Sequence, residues 1–252
     1  GWTGGLNYLR NLLAALADLP GRPVQAVLFV APDTSNGDIV PLRPWLALKW
    51  AGIDFDETSI DLDQPGYGEG NITAIRAVSP TGKVPVLRIG SEAIWESIAI
   101  AEWAAENSRT GPLLPADPIA RAQARAVIAE MHAGFGALRR DLPMNIRRRC
   151  RATGLPPETQ ADIARVDAMW SGLRGRHGTQ GPYLFGPRSL ADAFYLPVAT
   201  RFRTYAIALS PAAQAYCDTL FADAAFREWE ARALAEPAKP FSRARTDSLY
   251  AD

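Results

Sequence analysis

The spacing of apolar residues divides the chain into a mixed first part and a helical second part. Residues 24–30 form a nearly continuous apolar run, which predicts a strand buried on both faces. Apolar residues then recur at helical spacing from Leu42 to Ala51, and Gly52 follows where a helix commonly ends. Further along, the pattern predicts a strand, a short helix, two strands and a helix over residues 54–60, 72–78, 84–87, 93–95 and 97–106. The predicted order βαβαββα is that of a thioredoxin-like domain with a four-stranded mixed sheet.

Beyond the Gly- and Pro-rich stretch 111–115, the pattern predicts helices only. We expect these helices over residues 117–140, 158–173, from 189 onward, 211–221 and 223–234. Ser189 and Asp192 have the spacing of a capping box, in which each side chain bonds the backbone N–H of the other residue. The predicted fold class is therefore α+β, with an extension over 1–22, a thioredoxin-like domain over 23–108 and an all-α domain over 115–250. We also expect the tryptophans at 45, 50, 95, 103 and 170 to anchor the core.

Composition and charge narrow the classes of function. Lys plus Arg equals Asp plus Glu at 27 each, so nothing indicates a nucleic-acid partner, and the basic run 147–149 is interpreted as a solvated turn. The two cysteines, Cys150 and Cys217, have no CxxC spacing, which argues against a metal site or a disulfide framework and favours a reducing cytosol. No apolar run approaches the roughly 18 residues that a membrane helix needs, and no signal-peptide pattern opens the sequence. We expect a cytoplasmic protein that has no membrane partner.

The stretch Ser79–Leu87 and the pair Glu96 and Ser97 are the candidate ligand-binding residues. Pro85 lies inside a short apolar strand, where it cannot donate a ladder hydrogen bond, so it belongs at an edge, a bulge or a cis turn. A cis bond between Val84 and Pro85 would turn the backbone outward to meet an extended peptide. Glu96 and Ser97 open a helix, whose free N–H groups favour a carboxylate. These groups suit a small peptide with an ammonium and carboxylates, although each half alone also fits a hairpin followed by a capped helix.

Two separated signatures resemble the glutathione S-transferase family. GKVPVL at 82–87 with WESIAIAEW at 95–103 is similar to the glutathione-binding half of that family. GPYLFG at 181–186 with SLAD at 189–192 resembles the capping box of its helical domain. The resemblance runs from about residue 41 to the end of the chain and indicates a bacterial, zeta-like subgroup. It implies a homodimeric transferase, active in detoxification, that uses glutathione as co-substrate to conjugate or isomerise a small electrophile.

The resemblance also implies roles for individual residues. Glu96 and Ser97 are expected to bind the γ-glutamyl carboxylate and ammonium, and Val84, before the cis Pro85, to pair with the cysteinyl backbone. Lys83 is expected near the glycyl carboxylate.

Two further expectations concern the predicted helix over 117–140. Its residue His132 is expected in the electrophile pocket, with a polar residue satisfied at a helix interface as the alternative. In the dimer, the predicted helix 97–106 of one subunit is expected near the helix 117–140 of the other.

The chain departs from the family where the thiol is activated. Relatives of the subgroup carry serines a few residues before the arginine that matches Arg43, whereas this sequence has Asp38 and Ile39 there. A hydroxyl donor lowers the pKa of the glutathione thiol, while an ionised Asp38 beside the sulfur would raise it. Ser35 is the candidate catalytic residue, with Thr34, Asn36 and Asp38 as open alternatives for the group that faces the thiol. A glutathione-binding protein of the same fold with little or no transferase activity therefore remains a second hypothesis.

The first 34 residues are atypical of this family. Their opening, GWTGGLNYLR, resembles the start of a sugar-nucleotide glycosyltransferase and leads into an amphipathic helix. The remaining chain lacks the pattern of that fold, so its function is not carried over.

Overall fold

The computed structural model describes residues 26–30, 42–60, 65–66, 69–235 and 250–251, and for 26–30 and 250–251 it describes the backbone alone. The predicted extension over 1–22 lies outside the described residues. So do the candidates for thiol activation, which are Thr34, Ser35, Asn36 and Asp38, together with Ile39.

Four strands form the sheet of the first part. In chain order, its elements are β1 Ala26–Val30, α1 Leu42–Trp50, β2 Phe55–Ser59, α2 Thr73–Arg76, β3 Val86–Ile89, β4 Glu92–Trp95 and α3 Ser97–Glu106. The strand order is β2-β1-β3-β4, with β1 parallel to β2 and antiparallel to β3, and β3 antiparallel to β4. A parallel pair needs a crossover, and α1 supplies it between β1 and β2. The predicted βαβαββα arrangement is confirmed.

Helices build the second part. They are α4 Pro118–Ala133, α5 Gly136–Asp141, α6 Pro157–His177, α7 Leu190–Thr204, α8 Pro211–Ala222 and α9 Ala224–Ala235. A two-residue ladder joins β5 Arg151–Ala152 to β6 Tyr250–Ala251, which the sequence pattern does not predict. No helix in the described part of the chain is both long and apolar enough to cross a bilayer.

The prediction of one helix over 117–140 is wrong. The helix stops at Ala133, since Gly134 is extended and Phe135 is left-handed with φ of 56°. A Cβ at Gly134 would lie 2.6 Å from the carbonyl oxygen of Glu130, so only glycine fits there. The chain then starts a new helix at Gly136, and this break decides how α4 ends.

The core lies around α7, of whose fifteen residues all but Arg203 are buried. Trp170 of α6 packs edge-on against Tyr195, Phe202 and Tyr216, with ring centroids 5.8, 5.6 and 5.0 Å away. The expectation for the tryptophans is confirmed at positions 45, 50 and 170. It is wrong for Trp95, which is 43% exposed because it ends the edge strand β4.

Polar contacts join α1 and β2 to the last helix. The indole N–H of Trp50 donates to Asp223 Oδ1 at 3.1 Å. Glu57 accepts from the indole N–H of Trp45 at 2.9 Å and from both terminal nitrogens of Arg232 at 2.7 and 3.0 Å. The sheet-bearing part and the helical part therefore pack together, although the exact domain limits remain a prediction.

Candidate functional site

The loop before β3 has its shape fixed by its own side chains. Ser79, which is buried, donates through its hydroxyl to the carbonyl of Lys83 at 2.7 Å and accepts from the N–H of Lys83 at 3.2 Å. Gly82 has φ of 67°, and a Cβ there would lie 2.3 Å from the carbonyl oxygen of Gly70. The Val84–Pro85 bond that follows is cis, as the sequence predicts.

Glu96 and Ser97 begin α3 at the same end of the sheet as Pro85. Val86 pairs with Trp95 in the antiparallel ladder, so the residues that flank this pair, Pro85 and Glu96, lie side by side just beyond it. Glu96 precedes α3 with φ of 69° and makes no side-chain capping bond to the helix. A left-handed backbone is rare for glutamate, and strained backbone of this kind clusters at functional sites. The first N–H groups of α3 therefore lack the usual side-chain acceptor, and such groups bind anions well.

His132 completes this cluster from α4. Its Nδ1 lies 3.4 Å from the hydroxyl oxygen of Ser97, and its Nε2 lies 3.5 Å from a carboxylate oxygen of Glu96. Burial is the main cause that lowers the pKa of His132 below its ordinary value. The positive charges of Arg43 and Arg139 lower it further, while Glu96 acts in the opposite direction. The imidazole is therefore neutral at pH 7, and its two nitrogens can contact both neighbours.

Lys83 and Val84 lie on the approach to this cluster. Lys83 is exposed, two residues before Pro85. Val84 is half-buried against a small apolar cluster under the loop, formed by Ile60, Ile72, Ile75 and Val78. Three of the predicted site residues, Glu96, Ser97 and His132, thus touch one another, and Pro85 adjoins them through the sheet.

Two arginines belong to the same region and were not predicted as site residues. The guanidinium of Arg43, near the start of α1, lies 5.5 Å from the ring centroid of Phe194. Arg139 of α5 donates to the carbonyls of Met131 and His132, the latter at 3.0 Å. A basic residue in the otherwise apolar start of α1 is a signal that could have identified Arg43, whereas Arg139 depends on the turn at Gly134.

Neither a metal nor a reactive cysteine is indicated. In the parts of the chain that the structure describes, no three His, Cys, Asp or Glu side chains could share a metal ion. Both cysteines are buried and not joined in a disulfide. Burial raises the pKa of Cys217 to about 12, which leaves it unreactive.

Several known proteins are similar to this chain in sequence. The family model for the glutathione S-transferase N-terminal domain matches residues 40–107. A maleylpyruvate isomerase of a Ralstonia species is 30% identical over 206 residues, which span 77% of this chain and 90% of that protein. The maleylacetoacetate isomerase of Pseudomonas aeruginosa is 28% identical over 195 residues, 74% of this chain and 88% of its own length.

A solved structure shows the same fold. The holo structure of a maleyl pyruvate isomerase, described as a bacterial glutathione S-transferase of the zeta class, superposes with a TM-score of 0.62 at 23% identity. The match covers 84% of this chain and all of the other. The structural match shows the fold, and the 30% identity to the Ralstonia protein over nine-tenths of its length places the chain in a known family. This chain belongs to the glutathione S-transferase family.

Proposed function

We propose that the chain binds glutathione at the start of α3 and uses its thiolate on a small electrophile, in the isomerising mode of its named relatives. The observation that carries this proposal is the uncapped helix start at Glu96 and Ser97, with His132 against both. An uncapped helix start attracts a carboxylate, and the adjacent Glu96 can pair with an ammonium. The γ-glutamyl end of glutathione carries both groups on one carbon atom.

The rest of glutathione extends from the start of α3 along the loop that precedes β3. The backbone of Val84 pairs with the cysteinyl residue, and Lys83 approaches the glycyl carboxylate. The carboxylate of Glu96 is 59% exposed and so reaches solvent, where the ammonium arrives. This orientation directs the thiol toward the N-terminal end of α1, where Arg43 is the second residue.

The isomerising mode fits the chemistry of a maleyl group, whose cis double bond is conjugated with a carbonyl. A thiolate that adds to this bond moves the electron pair onto the carbonyl oxygen as an enolate and leaves a single bond that can rotate. Collapse of the enolate expels the same thiolate and restores the double bond in the trans form. Glutathione is regenerated, so a site that holds it through the whole cycle suits the reaction. Conjugation of another electrophile needs the same thiolate and omits the expulsion step.

The group that activates the thiol is proposed from the segment before α1. Ser35 is the first candidate, and Thr34 and Asn36 are the alternatives. The presence of Asp38 and Ile39 where relatives carry serines favours a second candidate function, a glutathione-binding protein of low activity. If the protein does not lower the pKa of the bound thiol, each missing pKa unit corresponds to about 1.4 kcal/mol less stabilisation of the thiolate.

Two measurements on the wild-type protein separate these functions. Calorimetric titration with glutathione should give binding, and turnover should follow with maleylpyruvate or with a generic aryl halide. Binding without turnover would select the low-activity protein, and no binding would reject both. For the activating group, Ser35→Ala should raise the pKa of the bound thiol, read from thiolate absorbance, with Thr34→Ala and Asn36→Ala as matched variants. Asp38→Ser should increase turnover if this carboxylate faces the sulfur.

We also propose a cytoplasmic homodimer in which α3 of one subunit lies near α4 of the other. Within one chain these helices are already joined by the bidentate pair of Arg125 and Glu102, at 2.9 Å for both contacts. Light scattering at micromolar concentration should give twice the mass of one chain, and a monomer mass would contradict the dimer.

A further inference from the structure

We propose that Arg139 is a positioning residue of the glutathione site, which holds the end of α4 so that the imidazole of His132 stays between Glu96 and Ser97. This role rests on the proposed function, because it concerns the same site. Arg139 acts through His132 and is not proposed to touch glutathione.

The end of α4 needs such a partner. The last carbonyl groups of a helix have no partner within it, and they must be satisfied by other donors. The N–H of Gly134 closes the last turn onto the carbonyl of Glu130 at 2.8 Å. The carbonyls of Met131 and His132 come next, and both accept from one terminal nitrogen of Arg139. The guanidinium thus fixes the peptide groups on either side of the His132 Cα.

The turn between α4 and α5 directs Arg139 to this place. Phe135 is 7% exposed and has a left-handed backbone, a conformation that costs free energy for a bulky residue and persists only when its surroundings enforce it. Its carbonyl accepts from the N–H of Arg139 at 3.0 Å. The N–H of Leu138 donates to Asp162 of α6 at 3.0 Å. The turn between α4 and α5 is therefore held against α6, and it brings Arg139 back to the end of α4.

The charges around His132 give Arg139 a second effect. The groups that face the imidazole are Arg43 from α1, Glu96 and Ser97 from the start of α3, and Arg139 from α5. Of these, Arg43 and Arg139 lower the pKa of His132 and Glu96 raises it. A neutral imidazole can donate through one nitrogen and accept through the other, so it can serve Glu96 and Ser97 at once. It also leaves Glu96 available to the ammonium of glutathione.

The two histidines of the chain, His132 and His177, make a direct test possible by NMR. His177 lies on α6 with its ring 5.2 Å from that of Phe185, so its imidazole signal serves as an internal reference. Arg139→Gln removes the charge, and Arg139→Lys keeps it without the planar fork. Arg227→Gln is the control, because Arg227 also donates to a backbone carbonyl, that of Phe221 at 3.2 Å, but on an exposed surface of α9.

We expect Arg139→Gln to raise the pKa of His132 and to weaken glutathione binding about tenfold, the scale of a lost hydrogen-bonding partner. Arg139→Lys should leave the pKa of His132 close to the wild-type value and recover part of the affinity. Arg227→Gln should change neither quantity, and the imidazole signal of His177 should be the same in every variant. If Arg139→Gln does not fold, a partial loss of affinity in folded Arg139→Lys with an unmoved His132 pKa supports the same role.

Two results would overturn the proposal in different ways. A wild-type protein that does not bind glutathione would reject the proposed function and this role with it. A wild type that binds, together with an Arg139→Gln protein of equal affinity and equal His132 pKa, would reject the positioning role alone.

Discussion

Helices α7 and α3 both begin with one hydroxyl and one carboxyl side chain, but these side chains bond the backbone at the start of α7 and not at the start of α3. At α7, Asp192 Oδ2 accepts from the N–H of Ser189 at 2.7 Å, and Oδ1 accepts from the N–H of Leu184 at 3.1 Å. Oδ1 also accepts from the hydroxyl of Tyr216 at 2.9 Å. At α3, the side chain of Glu96 makes no bond to the helix, and Ser97 contacts His132 instead. The same pair of chemical groups closes one helix start and leaves the other open.

The order of the two groups explains the difference. In α7 the hydroxyl precedes the helix and the carboxylate lies three residues later, so each reaches the backbone of the other, and the predicted capping box is confirmed. In α3 the carboxylate precedes the helix on a left-handed residue and the hydroxyl follows directly. Neither side chain then meets the first N–H groups of α3. A closed start stabilises the fold, and an open one can receive a ligand.

The largest expected effect comes from breaking the closed start with Asp192→Ala. The change leaves the N–H groups of Leu184 and Ser189 and the hydroxyl of Tyr216 without their buried acceptor. Each orphaned group costs about 1–3 kcal/mol, so for the three groups we expect a loss of at least about 3 kcal/mol in the free energy of unfolding, measured with urea. Asp218→Ala is the control, since Asp218 accepts from the exposed Gln214 at 2.9 Å. A loss below about 1 kcal/mol would contradict the role of the box.

The buried carboxyl group of Asp192 should also make the stability of the protein depend on pH. Burial raises the pKa of Asp192 to about 6, against the lowering effect of its hydrogen bonds. The folded protein then holds a proton that the unfolded chain releases near pH 4, so this carboxyl lowers stability as pH rises from 4 to 6. The effect amounts to about 3 kcal/mol at most. Unfolding of wild type and Asp192→Asn at pH 4 to 7 should show the wild type losing stability relative to the variant. A constant difference would mean an unshifted pKa.

Sequence alone predicts both helix starts, because their signals are local. The Glu96–Ser97 pair and the helical spacing after it give the observed limits of α3, and Ser189 with Asp192 gives the start of α7. The approach of His132 to α3 has no such signal, since 35 positions separate it from Ser97. Only the packing of α4 on α3 brings the two together.

The break after α4 shows a second limit of the sequence pattern. Apolar residues continue at helical spacing past Ala133, so the periodicity predicts an uninterrupted helix. The left-handed Phe135 depends on distant partners, namely the bond from Leu138 to Asp162 and the packing of its own buried ring. The small β5–β6 ladder, two residues long, is likewise too short to give a pattern.

The substitution Ser97→Ala tests whether the uncapped start of α3 binds the ligand. If the hydroxyl serves the ligand, glutathione binding should weaken by about 1–3 kcal/mol, the range for a hydrogen bond to a charged group. The free energy of unfolding should change by less than about 1 kcal/mol, since Ser97 caps no helix group. Ser91→Ala in the exposed β3–β4 turn is the matched control. Calorimetry that gives equal affinity for Ser97→Ala and the wild type would remove Ser97 from the site.

The smallest effect is expected from the matching serine at the closed start, Ser189→Ala. The capping hydroxyl contributes about 1 kcal/mol to stability, and its loss should appear in urea unfolding at that scale. Glutathione affinity should not change, because Ser189 is 2% exposed and its bonds are made within the box. Ser97→Ala should therefore lose glutathione affinity, whereas Ser189→Ala should lose stability. A Ser189→Ala protein with reduced glutathione affinity would show that the two helix starts are coupled, and the contrast drawn between them would not hold.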